Sequence, residues 1–368
     1  MKAAAHEVLT EVRGQVGLIT LHRPGALNAL TLHMIRSLTQ CLLAWREDQQ
    51  VQAVAIRGSN KAGPFGAFCA GGDIRFFHQA LLAGSPVPED FFTEEYTLNH
   101  LIHSFPKPCI AFMDGIVMGG GMGISQGASH RLVTPRSKLA MPETLIGLFP
   151  DVAGGYFLSR CPGHAGEWLA LTGVTLGAGD AIALGLADHC LAVDQMPLAW
   201  DALSLINPAD PAQMAHWIAM FKIATSADCI RARGQIDHYF AMQSVSQIVR
   251  ALEADASAWA QQTAALLRQR SPLMLQVALE QIRRARSMSL AQELRMERDL
   301  MRHCFFPHHL GRSGAQTECA EGIRALVIDK DNAPNWQPAR IEDITAKMVQ
   351  PFFVSPWAGH CHPLRLLG

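Results

Sequence analysis

The sequence lacks the features that mark several large classes of protein. Its 368 residues carry a formal net charge of −1, so it has no field of basic residues of the kind that nucleic-acid binding requires. No stretch of about 18 uncharged apolar residues occurs, which argues against a membrane-spanning helix. The N-terminal segment reaches Glu7 and Glu11 before any apolar run forms, unlike a secretory signal peptide. These absences predict a cytoplasmic protein with neither nucleic-acid nor membrane partners.

Paired cysteines are also missing. The nine cysteines are irregularly spaced and no C-x-x-C pair occurs, so the sequence indicates no disulfide framework. Two clusters of histidine and cysteine, at 303–309 and 360–362, lack pairs of ligands at finger-like spacing. We therefore predict reduced, mostly buried thiols and no metal site.

Short apolar runs and helical patterns alternate over the first 200 residues. Val8–Arg13 and Val16–His22 predict a β-hairpin, and Val51–Arg57 and Cys109–Met113 predict buried strands. A helical spacing of apolar residues follows the hairpin. The apolar residues with this spacing are Leu32, Ile35, Leu38, Leu42 and Leu43. Strands alternating with helices predict an α/β fold with crossover connections.

Strand-like runs disappear from about residue 200 onward. Amphipathic helical patterns take their place, at 212–223, 244–269, 272–286 and 289–304. We predict an α/β core at residues 1–200, a helical region at 201–345 and a tail at 346–368. The final segment from Trp357 is expected to be poorly ordered.

Two glycine-rich segments follow predicted strands. In Ala70-Gly71-Gly72-Asp73 a strand ends and a helix begins, so N–H groups at the helix start can face a developing negative charge. The alternative is an ordinary loop in which Asp73 caps the helix. The second segment, Gly119–Gly123, allows close backbone approach to a ligand or to a neighbouring helix. It does not fit the dinucleotide fingerprint, and the absence of any Gly-Lys dipeptide excludes a P-loop.

Two carboxylates, Glu143 and Asp151, lie close together in an apolar part of the sequence. Glu143 is flanked in the sequence by the apolar residues Met141, Leu145 and Ile146. Apolar surroundings raise the pKa of a carboxyl group, which suits it to acid–base catalysis. The alternatives are a surface-loop position for Glu143 and a helix N-cap for Asp151.

Together these segments resemble the crotonase (enoyl-CoA hydratase/isomerase) superfamily over roughly residues 8–338. The resemblance implies a crotonase-type ββα superhelix core with a helical C-terminal region. It also implies that the N–H groups of Gly72 and Gly120 form an oxyanion hole for an acyl-CoA thioester, with Ala70 and Asp73 beside the substrate. Such preorganised donors lower a barrier by about 3 kcal/mol each. Members are often trimeric or hexameric, so a homo-oligomer is a further expectation.

Finer matches resemble one branch of the superfamily, the 3-hydroxyisobutyryl-CoA hydrolases. Many hydratases carry a catalytic Glu where this chain has Gly123, whereas the second family Glu is retained as Glu143. The branch resemblance rests on four segments, at 94–96, 141–144, 147–152 and 321–336. One departure is Ala153, where this branch often has Gly.

The branch resemblance implies hydrolysis of a short-chain 3-hydroxyacyl-CoA, in valine catabolism. Glu143 is expected to attack the thioester carbonyl or to activate a water, and these two roles stay open. Asp151 is expected to bind the 3-hydroxyl group or to help protonate the departing thiolate, and Glu95 to line the acyl pocket. Coenzyme A enters as part of the substrate, and no separate cofactor is implied.

Three other functions remain as alternatives. The segment Gly123–Gly127 formally fits G-x-S-x-G, the nucleophile elbow of serine hydrolases, but Ser125 is expected inside a helix. A non-catalytic binding protein is a second alternative. The strongest rival is hydration or double-bond isomerisation of an enoyl-CoA.

Overall fold

A computed structural model describes residues 7–368, without the side chain of Ile230. Within this range the chain forms two compact units. Unit 1 contains the described residues up to Gly72, together with Leu98–Ala140 and Thr175–Asp228. Unit 2 contains Asp73–Thr97, Met141–Val174 and Cys229–Gly368. Both units therefore combine distant parts of the sequence, and the boundaries expected near residues 200 and 345 stay predictions.

The strands lie in unit 1. They are β1 Val8–Arg13, β2 Val16–Leu21, β3 Ala53–Gly58, β4 Cys109–Met113, β5 Ile116–Met118, β6 His130–Val133, β7 Lys138–Ala140, β8 His189–Leu191 and β9 Lys222–Ile223. Seven of them form one sheet in the order β1-β2-β3-β4-β6-β8-β9. The pairs from β2 to β8 are parallel, whereas β1 and β9 are antiparallel to their neighbours. Strand β4 is buried at every residue, as expected for the centre of a parallel sheet.

Helices make up most of the remaining regular structure within residues 7–368. They are α1 Leu32–Glu47, α2 Ile74–Ala83, α3 Val87–His103, α4 Gly120–Gln126, α5 Gly154–Leu158, α6 Ala165–Thr172, α7 Ala178–Ala183, α8 Met196–Leu203, α9 Pro211–Phe221, α10 Arg233–Phe240, α11 Val245–Ala254, α12 Ala258–Arg268, α13 Pro272–Ala285, α14 Leu290–Phe305, α15 Glu318–Ile323 and α16 Ala346–Val349. None of these helices combines the length and the apolar character needed to cross a membrane.

The core of unit 1 lies between the sheet and the helices α8 and α9. Trp200 of α8 and Trp217 of α9 are fully buried, and both pack edge-on against Phe112 of β4. The guanidinium of Arg57 lies over the Trp200 ring, 4.1 Å from its centroid. Aromatic pairs of this kind add to the stabilisation that comes from burial alone.

Unit 2 is helical, and serine side chains cap four of its long helices. Ser244, Ser257, Ser271 and Ser289 precede α11, α12, α13 and α14, and each accepts a hydrogen bond from a backbone N–H in the first turn. An N-cap of this type satisfies a donor that has no partner within the helix.

An aromatic cluster holds α2, the first part of α3 and α14 together in unit 2. Phe77 packs edge-on against Phe91 with ring centroids 4.8 Å apart, and Phe305 of α14 packs against Phe92 at 5.2 Å. The buried guanidinium of Arg298 donates a hydrogen bond to the carboxylate of Glu89. These contacts fix the first turns of α3, which lead to Glu95.

The structure confirms several expected elements and corrects others. The hairpin, the buried strand β4 and the helix after the first glycine-rich segment are confirmed. The helix after the hairpin is α1, in which Leu43 is 40% exposed and lies outside the buried face, whereas Met34 and Trp45 belong to it. The single helical pattern at 244–269 is two helices, α11 and α12, because Ser257 starts a new one.

The expectation of a poorly ordered C-terminal segment is wrong. Leu364 is 1% exposed, and the guanidinium of Arg295 in α14 donates a hydrogen bond to its carbonyl oxygen over 3.1 Å. His362 lies 3.3 Å from the carboxylate of Asp299, and the Trp357 ring lies under the Arg298 guanidinium. The last residues therefore pack along one face of α14.

Candidate active site

In unit 1, the first glycine-rich segment runs beside β5. The N–H groups of Phe68 and Cys69 donate to the carbonyl oxygen of Ile116, and the N–H of Met118 donates to that of Cys69 over 3.0 Å. The buried side-chain amide of Asn28 donates to the carbonyl oxygens of Ala67 and Phe68. Buried backbone acceptors are therefore satisfied here by a side chain, which fixes the segment that leads to Gly72.

The two glycine-rich segments touch each other through their backbones. A methyl group added at Gly121 would lie 2.3 Å from the carbonyl oxygen of Cys69, which is too close for any side chain. Gly71 has a φ of +101°, and a methyl group there would lie 3.4 Å from the nitrogen of Gly120. The close approach expected from the glycine run is confirmed, and the neighbour is the first glycine-rich segment.

Gly72 and Gly120, the predicted oxyanion-hole residues, lie at the ends of these two segments. Gly120 is the first residue of α4, where N–H groups have no acceptor within the helix. Gly72 forms an isolated parallel bridge with Leu30. The N–H of Ala70 donates to the carbonyl oxygen of Leu27 over 3.0 Å. The substrate contacts of Gly72, Gly120 and Ala70 stay predictions.

Asp73 caps α2 in unit 2. Its Oδ1 accepts a hydrogen bond from the N–H of Phe76 over 3.4 Å. The helix-capping interpretation is therefore confirmed, and a substrate contact of Asp73 stays a prediction.

Three buried carboxyl groups from separate segments define the candidate site in unit 2. Glu95 lies in α3, Glu143 in a short 3₁₀ helix that ends at Ile146, and Asp151 in the loop before α5. Their exposed fractions are 2%, 6% and 7%. The alternative that placed Glu143 on a surface loop is therefore wrong. Buried acids without cationic partners are costly for stability, and such groups concentrate at functional sites.

Burial raises the pKa of all three carboxyl groups. The pKa of Asp151 is raised to about 6, although a hydrogen bond from Tyr96 opposes the effect. Burial, and then the negative charge of Asp151, hold the pKa of Glu143 well above its ordinary value. Burial and the charges of Asp151 and Glu143 do the same for the pKa of Glu95. Mutual repulsion therefore couples the three groups, so a charge on one raises the pKa of its neighbours.

Two oxygens of this cluster have no hydrogen-bond partner among the described residues. They are Oε1 of Glu95 and Oε2 of Glu143, and both are buried. A buried polar atom without a hydrogen-bond partner lowers the free energy of unfolding by about 1–3 kcal/mol. The site therefore keeps these two oxygens at the expense of stability. These two oxygens are available to a substrate or to a water molecule.

Asp151 is held by a tyrosine and does not cap a helix. The Tyr96 hydroxyl donates to Oδ2 of Asp151 over 2.8 Å, and Tyr96 is fully buried. Helix α5 begins only at Gly154 and its N-cap is Ala153, so the N-cap interpretation of Asp151 is wrong. Tyr96 lies in the segment 94–96 that carries the branch resemblance, but no local sequence pattern indicates its hydrogen bond to Asp151.

The nucleophile-elbow alternative is not supported by the environment of Ser125. This residue is completely buried inside α4, and its hydroxyl donates to the carbonyl oxygen of Gly121 over 2.8 Å. Within residues 7–368, no group of three or more His, Cys, Asp or Glu side chains is arranged to hold a metal ion.

Comparison with known proteins shows the family to which this fold and these sites belong. The sequence profile of the enoyl-CoA hydratase/isomerase family matches residues 16–353, and the chain belongs to this family. The fold class predicted from the resemblance is thereby confirmed.

Individual relatives cover nearly the whole chain. The 3-hydroxyisobutyryl-CoA hydrolase, mitochondrial, of Bos taurus is 37% identical over 358 residues, covering 96% of this chain and 89% of the relative. The protein of the same name from Homo sapiens is 36% identical, with the same two coverages. Two solved structures are each 35% identical and cover 95% of this chain. A carnitinyl-CoA dehydratase from Mycobacterium thermoresistibile has a TM-score of 0.86 and is covered over 97% of its length. An enoyl-CoA hydratase from Rhodobacter sphaeroides has a TM-score of 0.85 and is covered over 98%.

The names of these hydrolases correct the predicted cytoplasmic location. Both relatives are named as mitochondrial proteins, which contradicts that prediction. The prediction rested on the lack of a secretory signal and of a long apolar run. Such absences argue against export and membrane insertion, but import into an organelle depends on other, amphipathic signals.

Proposed function

We propose that this chain hydrolyses the thioester of a short-chain 3-hydroxyacyl-CoA, with 3-hydroxyisobutyryl-CoA as the preferred substrate. The products are the free 3-hydroxy acid and coenzyme A. Two kinds of finding support the proposal: the names of the nearly full-length relatives, and the cluster of Glu95, Glu143 and Asp151. The single observation that carries it is the buried Oε2 of Glu143, which lacks a partner among the described residues. A role in valine catabolism is part of this proposal.

Glu143 is the proposed reacting carboxylate. As a nucleophile it would attack the thioester carbon, expel the CoA thiolate and leave a mixed anhydride, which water then cleaves. As a general base it would take a proton from a water that attacks the same carbon. In both cases the carbonyl oxygen gains negative charge, and the N–H groups of Gly72 and Gly120 are the proposed donors to it.

Asp151 and Glu95 have supporting roles in the proposal. Asp151 accepts a hydrogen bond from Tyr96, and its pKa of about 6 lets it exchange protons near neutral pH. It is therefore suited to bind the 3-hydroxyl group or to deliver a proton to the departing thiolate. Glu95, with one buried oxygen available, lines the proposed acyl pocket. Ala70 and Asp73 complete the proposed substrate contacts.

Coenzyme A takes part only as a portion of the substrate, and the proposed steps need no metal and no further cofactor. Self-association into a trimer or hexamer is a separate part of the proposal.

Hydration or dehydration of an acyl-CoA is the second candidate function. The two solved structures named above favour it, because they are described as a dehydratase and a hydratase at 35% identity. Position 123 argues against it, because hydration uses two carboxylates as paired acid and base and Gly123 brings none.

The test is release of free thiol from a panel of short acyl-CoA esters, run beside water addition to crotonyl-CoA. We expect rapid thiol release from 3-hydroxyisobutyryl-CoA and its loss in Glu143→Ala. The matched control is Glu280→Ala, which removes a half-exposed acid paired with Arg284 and should leave the rate unchanged. Water addition to crotonyl-CoA without thiol release would overturn the hydrolase assignment in favour of the second candidate. Trapping with hydroxylamine during turnover, followed by mass analysis of the Glu143 peptide, separates the nucleophile from the general base.

A further inference from the structure

Helix α14 carries a second pair of buried acids, Glu293 and Glu297. Both are 0% exposed. They lie four residues apart, so the two side chains share one face of the helix. The steps proposed above use neither of them.

The carboxylate of Glu297 binds the backbone of the loop that contains Asp151. Its Oε2 accepts a hydrogen bond from the N–H of Ala153 over 2.8 Å, and its Oε1 accepts one from the N–H of Gly155 over 3.0 Å. The side-chain amide of Gln281 donates to Oε1 of Glu297 and also to the carbonyl oxygen of Pro150 over 2.7 Å. Glu297 and Gln281 therefore hold this loop at three backbone positions.

The loop needs such support because its backbone is strained. Val152 has a φ of +56° and Ala153 a φ of +68°, in the left-handed region that residues with a side chain avoid. Both are buried, and Asp151 directly precedes them. A strained loop keeps its conformation only when its surroundings fix it.

Hydrogen bonds indicate where the charge of the acid pair lies. Three N–H donors point at Glu297, whereas neither carboxyl oxygen of Glu293 has a hydrogen-bond partner among the described residues. Acceptance of several N–H bonds favours an ionised carboxylate, and a second charge one turn away is disfavoured in a dry interior. The three N–H donors therefore favour the charge on Glu297 and the retained proton on Glu293.

The groups around the pair are consistent with one retained proton. Burial raises the pKa of both carboxyl groups, and a negative charge on either one raises the pKa of the other. The charged or titratable groups that act on the pair are Asp151, Tyr96 and Arg160. Arg160 is the cation among them and lowers the pKa of Glu293.

We propose that Glu297 is a positioning residue for Asp151, and that Glu293 keeps the proton that allows Glu297 to stay ionised in the interior. Glu297 thus fixes the Asp151 loop and places a negative charge near its carboxyl group. The effect on the reaction rests on the proposed function of Asp151, whereas the effect on the loop does not.

Two substitutions distinguish the role of Glu297 from that of Glu293. Glu297→Gln keeps the size but loses one acceptor and the charge, whereas Glu293→Gln imitates a protonated glutamate and is the matched control. We expect Glu297→Gln to lower kcat about 100-fold with little change in KM. The limb of the pH–rate profile that Asp151 sets should also move to lower pH, because a nearby negative charge has gone. Glu293→Gln should keep kcat within about threefold near pH 7 and leave that limb in place.

Hydrogen exchange of the 150–158 segment gives a readout that does not depend on catalysis. The N–H groups of Ala153 and Gly155 should exchange at least tenfold faster in Glu297→Gln than in Glu293→Gln. If the wild-type protein hydrolyses no thioester but this difference appears, the proposed function fails and the positioning role stands. If Glu297→Gln does not fold, Gln281→Met, which removes the donor to Pro150 and Glu297, should show the same acceleration in weaker form.

Three outcomes would overturn the proposal. The first is unchanged exchange of the segment in a folded Glu297→Gln or Gln281→Met. The second is a fall in kcat without any movement of the pH limb, since a merely structural role predicts that result. The third is an equal loss of kcat in Glu293→Gln.

Discussion

The hydroxyl group of Tyr96 donates a hydrogen bond to Oδ2 of Asp151 over 2.8 Å, and both side chains are buried. The donor stabilises the ionised carboxylate, whereas burial favours the neutral acid. The balance holds the pKa of Asp151 at about 6. The Tyr96 hydroxyl group therefore lowers a pKa that burial raises.

Replacing Tyr96 with Phe should move a limb of the pH–rate profile upward. If Asp151 acts as a carboxylate, the wild-type rate rises as it ionises near pH 6, and if Asp151 delivers a proton to the thiolate, the rate falls over the same range. A hydrogen bond to a charged group contributes about 1.5–3 kcal/mol, so its loss raises the pKa of Asp151 by about one unit or more. The measurement is kcat/KM for thiol release between pH 5 and 9, where the limb should appear above pH 7. Tyr239→Phe is the control, because Tyr239 donates to Asp255 elsewhere in unit 2, and its limb should coincide with that of the wild type.

Glu143→Gln should remove activity and make the free energy of unfolding less sensitive to pH. The folded-state pKa of Glu143 is raised above its unfolded value, so its contribution to stability is greatest at low pH and is lost as pH rises. The wild-type free energy of unfolding should therefore fall relative to the variant by about 1.4 kcal/mol per pH unit, from about pH 4.5 upward. Urea unfolding at pH 5, 6 and 7 measures this difference. Parallel pH dependences of the two proteins would contradict the raised pKa, and Glu280→Gln should show such parallel behaviour.

Gly121→Ala should disrupt the contact between the two glycine-rich segments. The added methyl group would lie 2.3 Å from the carbonyl oxygen of Cys69, which belongs to a hydrogen-bonded backbone and cannot move freely. We expect a loss of about 2–3 kcal/mol in the free energy of unfolding, as in other overpacked sites, together with loss of thiol release. Gly63→Ala is the control, because nothing lies within 4 Å of the position of its methyl group. Equal stability of the two variants would argue against the close approach.

Two leucines near the C-terminus provide a matched test of the packing along α14. Leu364 is 1% exposed and Leu366 is 85% exposed. Leu364→Ala should lower the free energy of unfolding by about 2–3 kcal/mol, because it removes buried methyl groups and leaves a cavity. Leu366→Ala should change it by less than about 0.5 kcal/mol. Similar effects of both substitutions would mean that the terminal segment does not pack as described.

Sequence patterns predicted the strands and helices that a short run of neighbouring residues specifies. The alternation of apolar residues around Gly14 predicted the hairpin, and the run at β4 predicted a buried strand. The helical spacing predicted α1 but not its buried face in full, because Met34, Leu38 and Trp45 define a buried stripe that leaves Leu43 outside it. The C-terminal packing was missed because a few isolated buried residues, such as Leu364, produce no periodicity.

The site was only partly predictable for a similar reason. Apolar neighbours in the sequence marked Glu143 and Asp151, and the structure does bury both. The partners of Asp151 and its loop lie far along the chain: Tyr96 is 55 residues from Asp151, and Glu297 is 144 residues from Ala153. One available signal for Glu297 was its place on the apolar face of α14, between the buried Leu294 and Met301.

The division of unit 2 into three chain segments has a consequence during synthesis. Glu95 and Glu143 leave the ribosome long before Glu297 and the helices that follow residue 229. Domains fold as units, so the nascent chain carries these acids in water, with ordinary acidity, until its last third is made. A truncated chain ending near residue 228 would contain both glycine-rich segments but would lack the helices of unit 2 that follow residue 229. The raised pKa values of Glu95 and Glu143 therefore depend on residues that are synthesised last.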